Sequence, residues 1–196
     1  PEPEELPWRL LDVDLVLECS GAYSDRATAE KHIEAGARRL LFSQPGDPDV
    51  DRTVVFGINE GDLNGQDVIV AAGSCTTNCL APLVDVLDRA FTVKQGLMTT
   101  IHSYTNDQNL VDKAHGDLLR ARAAAVNMIP TGTGAARAVG KVLPHLAGRL
   151  DGMAVRVPTL NVSLVDMKLL LEQPVTVEGV HERLSNAAHG DLQGVL

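Results

Sequence analysis

The sequence predicts an α/β fold that passes into an α+β arrangement partway along the chain. Short apolar runs alternate with helical patterns through the opening part. Near Gly73 this alternation gives way to longer strands and long connections. Hydrophobic residues make up 44% and charged residues 22%. Those proportions suit an ordinary globular domain and exclude disordered and fibrous classes.

Residues 14–19 (DLVLEC) form a short buried-strand run that stops at Ser20-Gly21. Residues 28–36 read as a helix closed by Gly36. Residues 39–43 (RLLFS) form a second strand, ended by Gln44-Pro45-Gly46, and residues 53–56 and 68–71 supply two more. Strands separated by helical patterns argue for parallel βα units. Ser74 opens a helix over residues 75–91, with apolar Leu80, Leu83, Val84 and Leu87. Residues 96–103 (GLMTTIHS) form a strand, residues 104–121 a long polar loop, and residues 133–146 a helix. Strands follow at residues 153–157 and 162–171, and a helix at 177–188. A loop as long as 104–121 inside a compact domain usually carries a function or an assembly surface.

The 196 residues suffice for one sizeable domain or one and a half small ones. The net charge of -9 disfavours nucleic acid as a partner, because an acidic surface repels phosphate backbones. An anionic ligand must therefore be held by local arginines. No apolar run approaches the roughly 18–20 residues that span a bilayer, so no membrane partner is expected. The opening PEPEELPW lacks the basic and apolar stretches of a signal peptide. Three cysteines, Cys19, Cys75 and Cys79, are too few for a disulfide framework, and a reducing cytoplasm is the simplest setting.

Cys75 sits where the strand pattern ends and a helix begins. A thiolate, not a thiol, attacks carbon, and the free N–H groups of a helix start stabilise an anion. Those groups also suit an oxyanion on a carbon attached to the sulfur. A buried Cys behind a Ser cap has the same local pattern. Cys79, one turn on, has no matching Cys/His pair and reads as core filler, so no metal site is expected. His102 ends the apolar run 97–101 ahead of the polar loop, a suitable place for a base or for a hydrogen-bonded structural His. His32, His115, His145, His181 and His189 have no partner motif and read as surface residues.

Arg120, Arg122 and Arg156 stand out in an acidic chain. Arg156 ends an apolar strand, where a charge without a partner is costly, and planar guanidinium groups suit phosphate. Thr131-Gly132-Thr133-Gly134-Ala135-Ala136 lies at a helix start and offers hydroxyls and N–H groups to an anion, or ordinary Thr capping. The run Gly132–Arg137 lacks the last glycine of G-x-G-x-x-G and follows no predicted strand. Gly140-Lys141 lacks the spacing and hydroxyl of a P-loop.

Ser74-Cys75-Thr76-Thr77-Asn78-Cys79-Leu80-Ala81-Pro82 resembles the active-site signature of glyceraldehyde-3-phosphate dehydrogenases. Four more blocks follow in that family's order: GLMTTIHSYTN at 96–106, Arg120-Ala121-Arg122, IPTGTGAA at 129–136 with Gly140–Val142, and RVPTLNVS at 156–163. The resemblance covers essentially the whole chain. It implies residues 1–73 as the later part of a Rossmann-type cofactor domain and residues 74–196 as a mixed-sheet catalytic domain, both incomplete. The expected absences are the opening strand and glycine-rich turn that hold a dinucleotide's pyrophosphate, and the last strands and helix. The chain is thus expected to be a fragment.

The resemblance also assigns roles. Cys75 matches the nucleophile and His102 its base. Ser74, Thr76, Thr133 and Gly134 match the site for attacking inorganic phosphate. Thr105 and Arg156 match the site for the phosphate of an aldose substrate, with Arg120 assisting. Ser20, Gly21 and Ser43 match contacts to NAD. The loop 104–121 matches one that packs in a homotetramer. Where the family usually has Ser-Asn-Ala, this chain has Ala71-Ala72-Gly73, and Gly73 is expected to loosen the turn. Leu119 stands where many bacterial relatives have Arg. Leu6-Pro7-Trp8 and Leu41-Phe42-Ser43 echo the sister enzymes acting on erythrose 4-phosphate. Residues 104–108 and Gly134-Ala135-Ala136 favour the glyceraldehyde enzymes. A partner-binding piece without turnover is the reading from another class.

Overall fold

The computed structural model describes residues 2–196. The chain forms two compact units, Pro1–Pro82 with Ala187–Leu196, and Leu83–Asn186.

The first unit carries a parallel sheet in the order β1-β2-β4-β3. The strands are β1 (Leu15–Glu18), β2 (Arg39–Phe42), β3 (Arg52–Thr53) and β4 (Ile69–Ala71). Helix α1 (Arg26–Glu34) connects β1 to β2 and starts at Asp25, whose carboxylate accepts the N–H of Thr28. Val16, Ala29, Leu40, Phe42, Ile69 and Ala71 form the core, with Trp8, Tyr23 and Ile33 packed against it. The carboxylate of Asp51 accepts the N–H groups of Val68 and Ile69 and pairs with Arg26. Burial raises its pKa, but these bonds outweigh it and hold the group below the usual carboxylate range.

The expected strand 53–56 is cut to Arg52–Thr53. After Val54 bonds to Ala71, the side chain of Asn59 accepts the N–H of Val55 and donates to the carbonyl of Thr53. Those bonds pull the chain off the ladder, a local competition that apolar patterning does not reveal.

Helix α2 (Cys75–Phe91) has the expected bounds and contains Pro82. The second unit carries a mixed sheet in the order β6-β7-β5-β8. Strand β5 (Val93–Ser103) runs parallel to β7 (Leu150–Val157) and antiparallel to β8 (Ser163–Leu171). Strand β6 (Ile129–Gly132) lies at the edge, antiparallel to β7. The sequence predicts no strand before Gly132; β6 nevertheless forms with Pro130 inside it, because an edge strand tolerates Pro. The expected helix 133–146 divides into α3 (Ala135–Val142) and a 3₁₀ turn, Pro144–Leu146. Proline disfavours a helical residue before it, and Leu143 sits at φ -124, ψ 79. Helix α4 covers Val177–His189.

Candidate active site

Gly73 makes the turn from β4 into α2 with φ +70. L-residues with a Cβ avoid that conformation. The expectation that Gly73 loosens this turn is therefore corrected. The side-chain amide of Asn78 donates to the carbonyls of Ala72 and Ser74, bracketing the glycine from both sides. Ser74 caps the helix, its hydroxyl accepting the N–H of Thr77 at 3.0 Å. Cys75 is the first helical residue and is exposed. Thr76 is buried, with its hydroxyl 4.0 Å from the Cys75 sulfur. Ser74, Cys75 and Thr76 thus share one helix start.

Cys79 is exposed, which corrects its reading as core filler. It lies one turn beyond Cys75 on the same helix stripe, whereas Leu80, Ala81 and Val84 face inward. Crowding around its sulfur pushes the thiol pKa up, and a charge on Cys75 adds to this.

Ser20-Gly21 and Ser43 follow the carboxyl ends of β1 and β2, and all three are exposed. Ligands of parallel α/β sheets bind at this end. Gly21 has φ +68 and open space where a side chain would stand. Glu18 lies behind both turns. Its carboxylate accepts the N–H of Ser20 at 2.6 Å, and its carbonyl accepts the N–H of Ser43 at 2.9 Å. His32 was expected on the surface but is 3% exposed, hydrogen-bonded to Trp8 and Tyr23. The clue in the sequence was the company of Trp8 and Tyr23 in a chain that is only 3% aromatic.

In the second unit, His102 is buried near the end of β5. It stands opposite Arg156 of β7 and Ser163 of β8. Its Nδ1 lies 2.7 Å from the carbonyl oxygen of Ser103. Nη1 of Arg156 donates to that same oxygen at 3.0 Å and to the Thr105 hydroxyl at 3.3 Å, and lies 3.1 Å from His102 Nδ1. The structure therefore brings His102, Thr105 and Arg156 together.

Arg120 is engaged elsewhere. It pairs with Asp107 at 2.5 Å and donates to the Thr131 hydroxyl at 2.9 Å, with Asp117 at 3.6 Å. Burial works against ionised Asp107, but the Arg120 bond outweighs it and lowers the pKa. Asp117 is held low first by the Thr131 hydroxyl. His115, expected on the surface, is half-buried between Asp107 and Asp117. This network pins the long loop to β6. Thr133 and Gly134 lie at the start of α3, where the Thr133 hydroxyl accepts the N–H of Ala135 at 3.2 Å. Among the described residues, no group of three or more His, Cys, Asp or Glu is placed to hold a metal ion, and no helix is long and apolar enough to cross a membrane.

A parallel βα unit, a cysteine at a helix start and a histidine–arginine pair on a mixed sheet define an α/β protein with a candidate nucleophile and base. The pattern described as glyceraldehyde 3-phosphate dehydrogenase, C-terminal domain, matches residues 74–196, and the chain belongs to that family. The chain is 55% identical over 194 residues to the plasmid glyceraldehyde-3-phosphate dehydrogenase of Cupriavidus necator, covering 99% of this chain and 58% of that protein. The Zymomonas mobilis glyceraldehyde-3-phosphate dehydrogenase is 50% identical over 196 residues, covering 100% of this chain and 58% of that protein. That of Pseudomonas aeruginosa is 54% identical over 188 residues, covering 96% of this chain and 56% of that protein.

Proposed function

We propose that this chain supplies catalytic residues of a phosphorylating glyceraldehyde-3-phosphate dehydrogenase, with Cys75 as nucleophile and His102 as base. The observation that carries this is the exposed Cys75 at the first position of α2, behind a Ser74 cap. The sulfur adds to the aldehyde carbon to give a hemithioacetal. His102 takes the proton from its hydroxyl as hydride leaves the carbon. NAD, when bound, supplies the hydride acceptor. The resulting thioester on Cys75 is attacked by inorganic phosphate, which forms the acyl phosphate and releases the thiolate.

Arg156 and Thr105 suit the aldose phosphate, because an Arg donor and a hydroxyl converge within hydrogen-bond range. Ser74, Thr76, Thr133 and Gly134 serve the attacking phosphate. Arg120 contributes indirectly, since Asp107 and Asp117 already take its charge. Exposed Ser20 and Ser43, with the open Gly21 between strand ends, fit a dinucleotide edge. A homotetrameric, cytoplasmic enzyme is the form we propose. Leu97, Met153, Leu164 and Leu170 lie exposed on one face of the mixed sheet and favour assembly.

Steady-state assays of the protein carrying this chain, with NAD and phosphate, test the reading. kcat/KM is expected to be higher for glyceraldehyde 3-phosphate than for erythrose 4-phosphate. Absence of NADH formation with either sugar contradicts it.

A further inference from the structure

The turn at Ser20-Gly21 is held by a hydrogen-bonded chain that the reaction chemistry does not use. It begins at Trp8, whose indole N–H donates to Nδ1 of His32 at 2.9 Å. An indole nitrogen can only donate, so Nδ1 is the acceptor and the neutral ring carries its proton on Nε2. That proton faces the Tyr23 oxygen, in a short hydrogen bond. With its oxygen accepting from His32, the Tyr23 hydroxyl donates to Glu18 Oε2 at 2.7 Å. The other carboxylate oxygen, Oε1, accepts the N–H of Ser20 at 2.6 Å.

The donors of Trp8, His32 and Tyr23 all point the same way, towards Glu18, and the Ser20 N–H meets the carboxylate from the other side. Glu18 is 7% exposed and His32 3%. Burial lowers the pKa of His32, which favours the neutral ring the bonding requires. Burial also pushes the Tyr23 hydroxyl up, and its bond to Glu18 adds to this. A buried carboxylate is expensive unless its hydrogen bonds are made. An apolar group of the same shape would fill the space at lower cost. What the carboxylate provides is a fixed Ser20 N–H, while the carbonyl of the same residue fixes that of Ser43.

We infer that Glu18 and Tyr23 are positioning residues for a bound dinucleotide, holding the Ser20-Gly21 and Ser43 turns through a directional chain anchored on His32 and Trp8. This rests on the proposed reading that those turns contact NAD. A binding constellation needs its backbone groups held to within about 0.5 Å, and the chain supplies that restraint from beneath.

Tyr23→Phe removes one link and keeps the ring, whose centroid lies 5.9 Å from that of Phe42 in an edge contact. Glu18→Gln keeps the shape but cannot keep the direction. Its amide must offer N–H either to the Ser20 N–H or to a Tyr23 oxygen that already accepts from His32. Both variants are made in the protein carrying this chain. Two readouts are taken: hydrogen exchange of the segment 20–22 and the NAD dissociation constant. Exchange is expected to quicken and NAD affinity to fall, each about tenfold, which corresponds to one charge-assisted hydrogen bond. The KM for the aldehyde and the labelling rate of Cys75 without NAD are expected to hold. Unchanged exchange in both variants overturns the positioning role, as does NAD affinity equal to that of the parent protein. Faster exchange in a protein whose parent form binds no NAD overturns the cofactor reading instead.

Discussion

His102 and Arg156 stand opposite each other across the parallel pair β5–β7, with Arg156 Nη1 3.1 Å from Nδ1 of the imidazole. A guanidinium has no acceptor to offer. Nδ1 also faces the Ser103 carbonyl oxygen at the shorter distance of 2.7 Å, where two lone pairs would repel unless Nδ1 carried a proton between them. The neutral ring therefore carries its proton on Nδ1 and keeps its lone pair on Nε2. That is the tautomer a general base requires. Arg156 is left to serve Ser103 and Thr105.

His102→Asn is expected to lower kcat by about 10²–10⁴-fold, the usual contribution of a positioned base. The KM for the aldehyde is expected to change far less. Steady-state kinetics at saturating NAD checks this, and an unchanged kcat removes His102 from the chemistry.

Arg156→Leu is expected to act on binding. Loss of a hydrogen bond to a charged group costs about 1.5–3 kcal/mol, so kcat/KM should fall by about one to two orders of magnitude. Arg156→Lys should restore part of this, because it keeps the charge and loses the planar fork. If a substrate without a phosphate group is used, the parent and Leu forms should differ much less.

Gly73→Ala places a side chain on a backbone at φ +70. Left-handed conformations cost L-residues roughly 1–2 kcal/mol. Thermal unfolding is the measurement. A fall in Tm of about 2–8 °C is expected for a chain of this size, and a rise contradicts the reading of the turn.

Acid should weaken the first unit in two steps. The folded pKa of His32 lies below its ordinary 6.5, chiefly through burial. A depressed pKa means that the unfolded chain binds the proton first. The stability it contributes is then present above 6.5 and lost as pH falls through the folded value. Glu18 follows the same sign below its ordinary 4.5, where bonds from Ser20 and Tyr23 outweigh burial. Denaturant melts between pH 8 and pH 4 should show the parent protein losing stability ahead of the carboxylate range. His32→Gln should be weaker at pH 8 and lack that first step.

The βα alternation, the bounds of α2 and the pairing of long strands after it were legible in the sequence because each is a period in hydrophobicity. Positions set by a single local bond were not. Asn59 ends β3, Pro144 divides the helix expected at 133–146, and edge placement rescues β6 despite Pro130. Cys75 and His102 stood out by motif. The Nδ1 partner of His102 did not, because a carbonyl oxygen leaves no trace in residue type. His32 was misplaced on the surface, since its burial depends on Trp8 and Tyr23 meeting across more than one turn of chain. Arg120 stood out by its charge, whereas its pairing with Asp107 and Asp117 left no pattern in the sequence.

The covalent role of Cys75 is tested most directly by trapping the thioester. The protein carrying this chain is mixed with glyceraldehyde 3-phosphate and NAD without inorganic phosphate, quenched in acid, and digested for mass spectrometry. The peptide containing Cys75 is expected to carry the phosphoglyceroyl group, to lose it when phosphate is added before the quench, and to stay unmodified in Cys75→Ser, which forms no NADH. NADH formation by Cys75→Ser, or an acyl group found on another residue, would contradict Cys75 as the nucleophile.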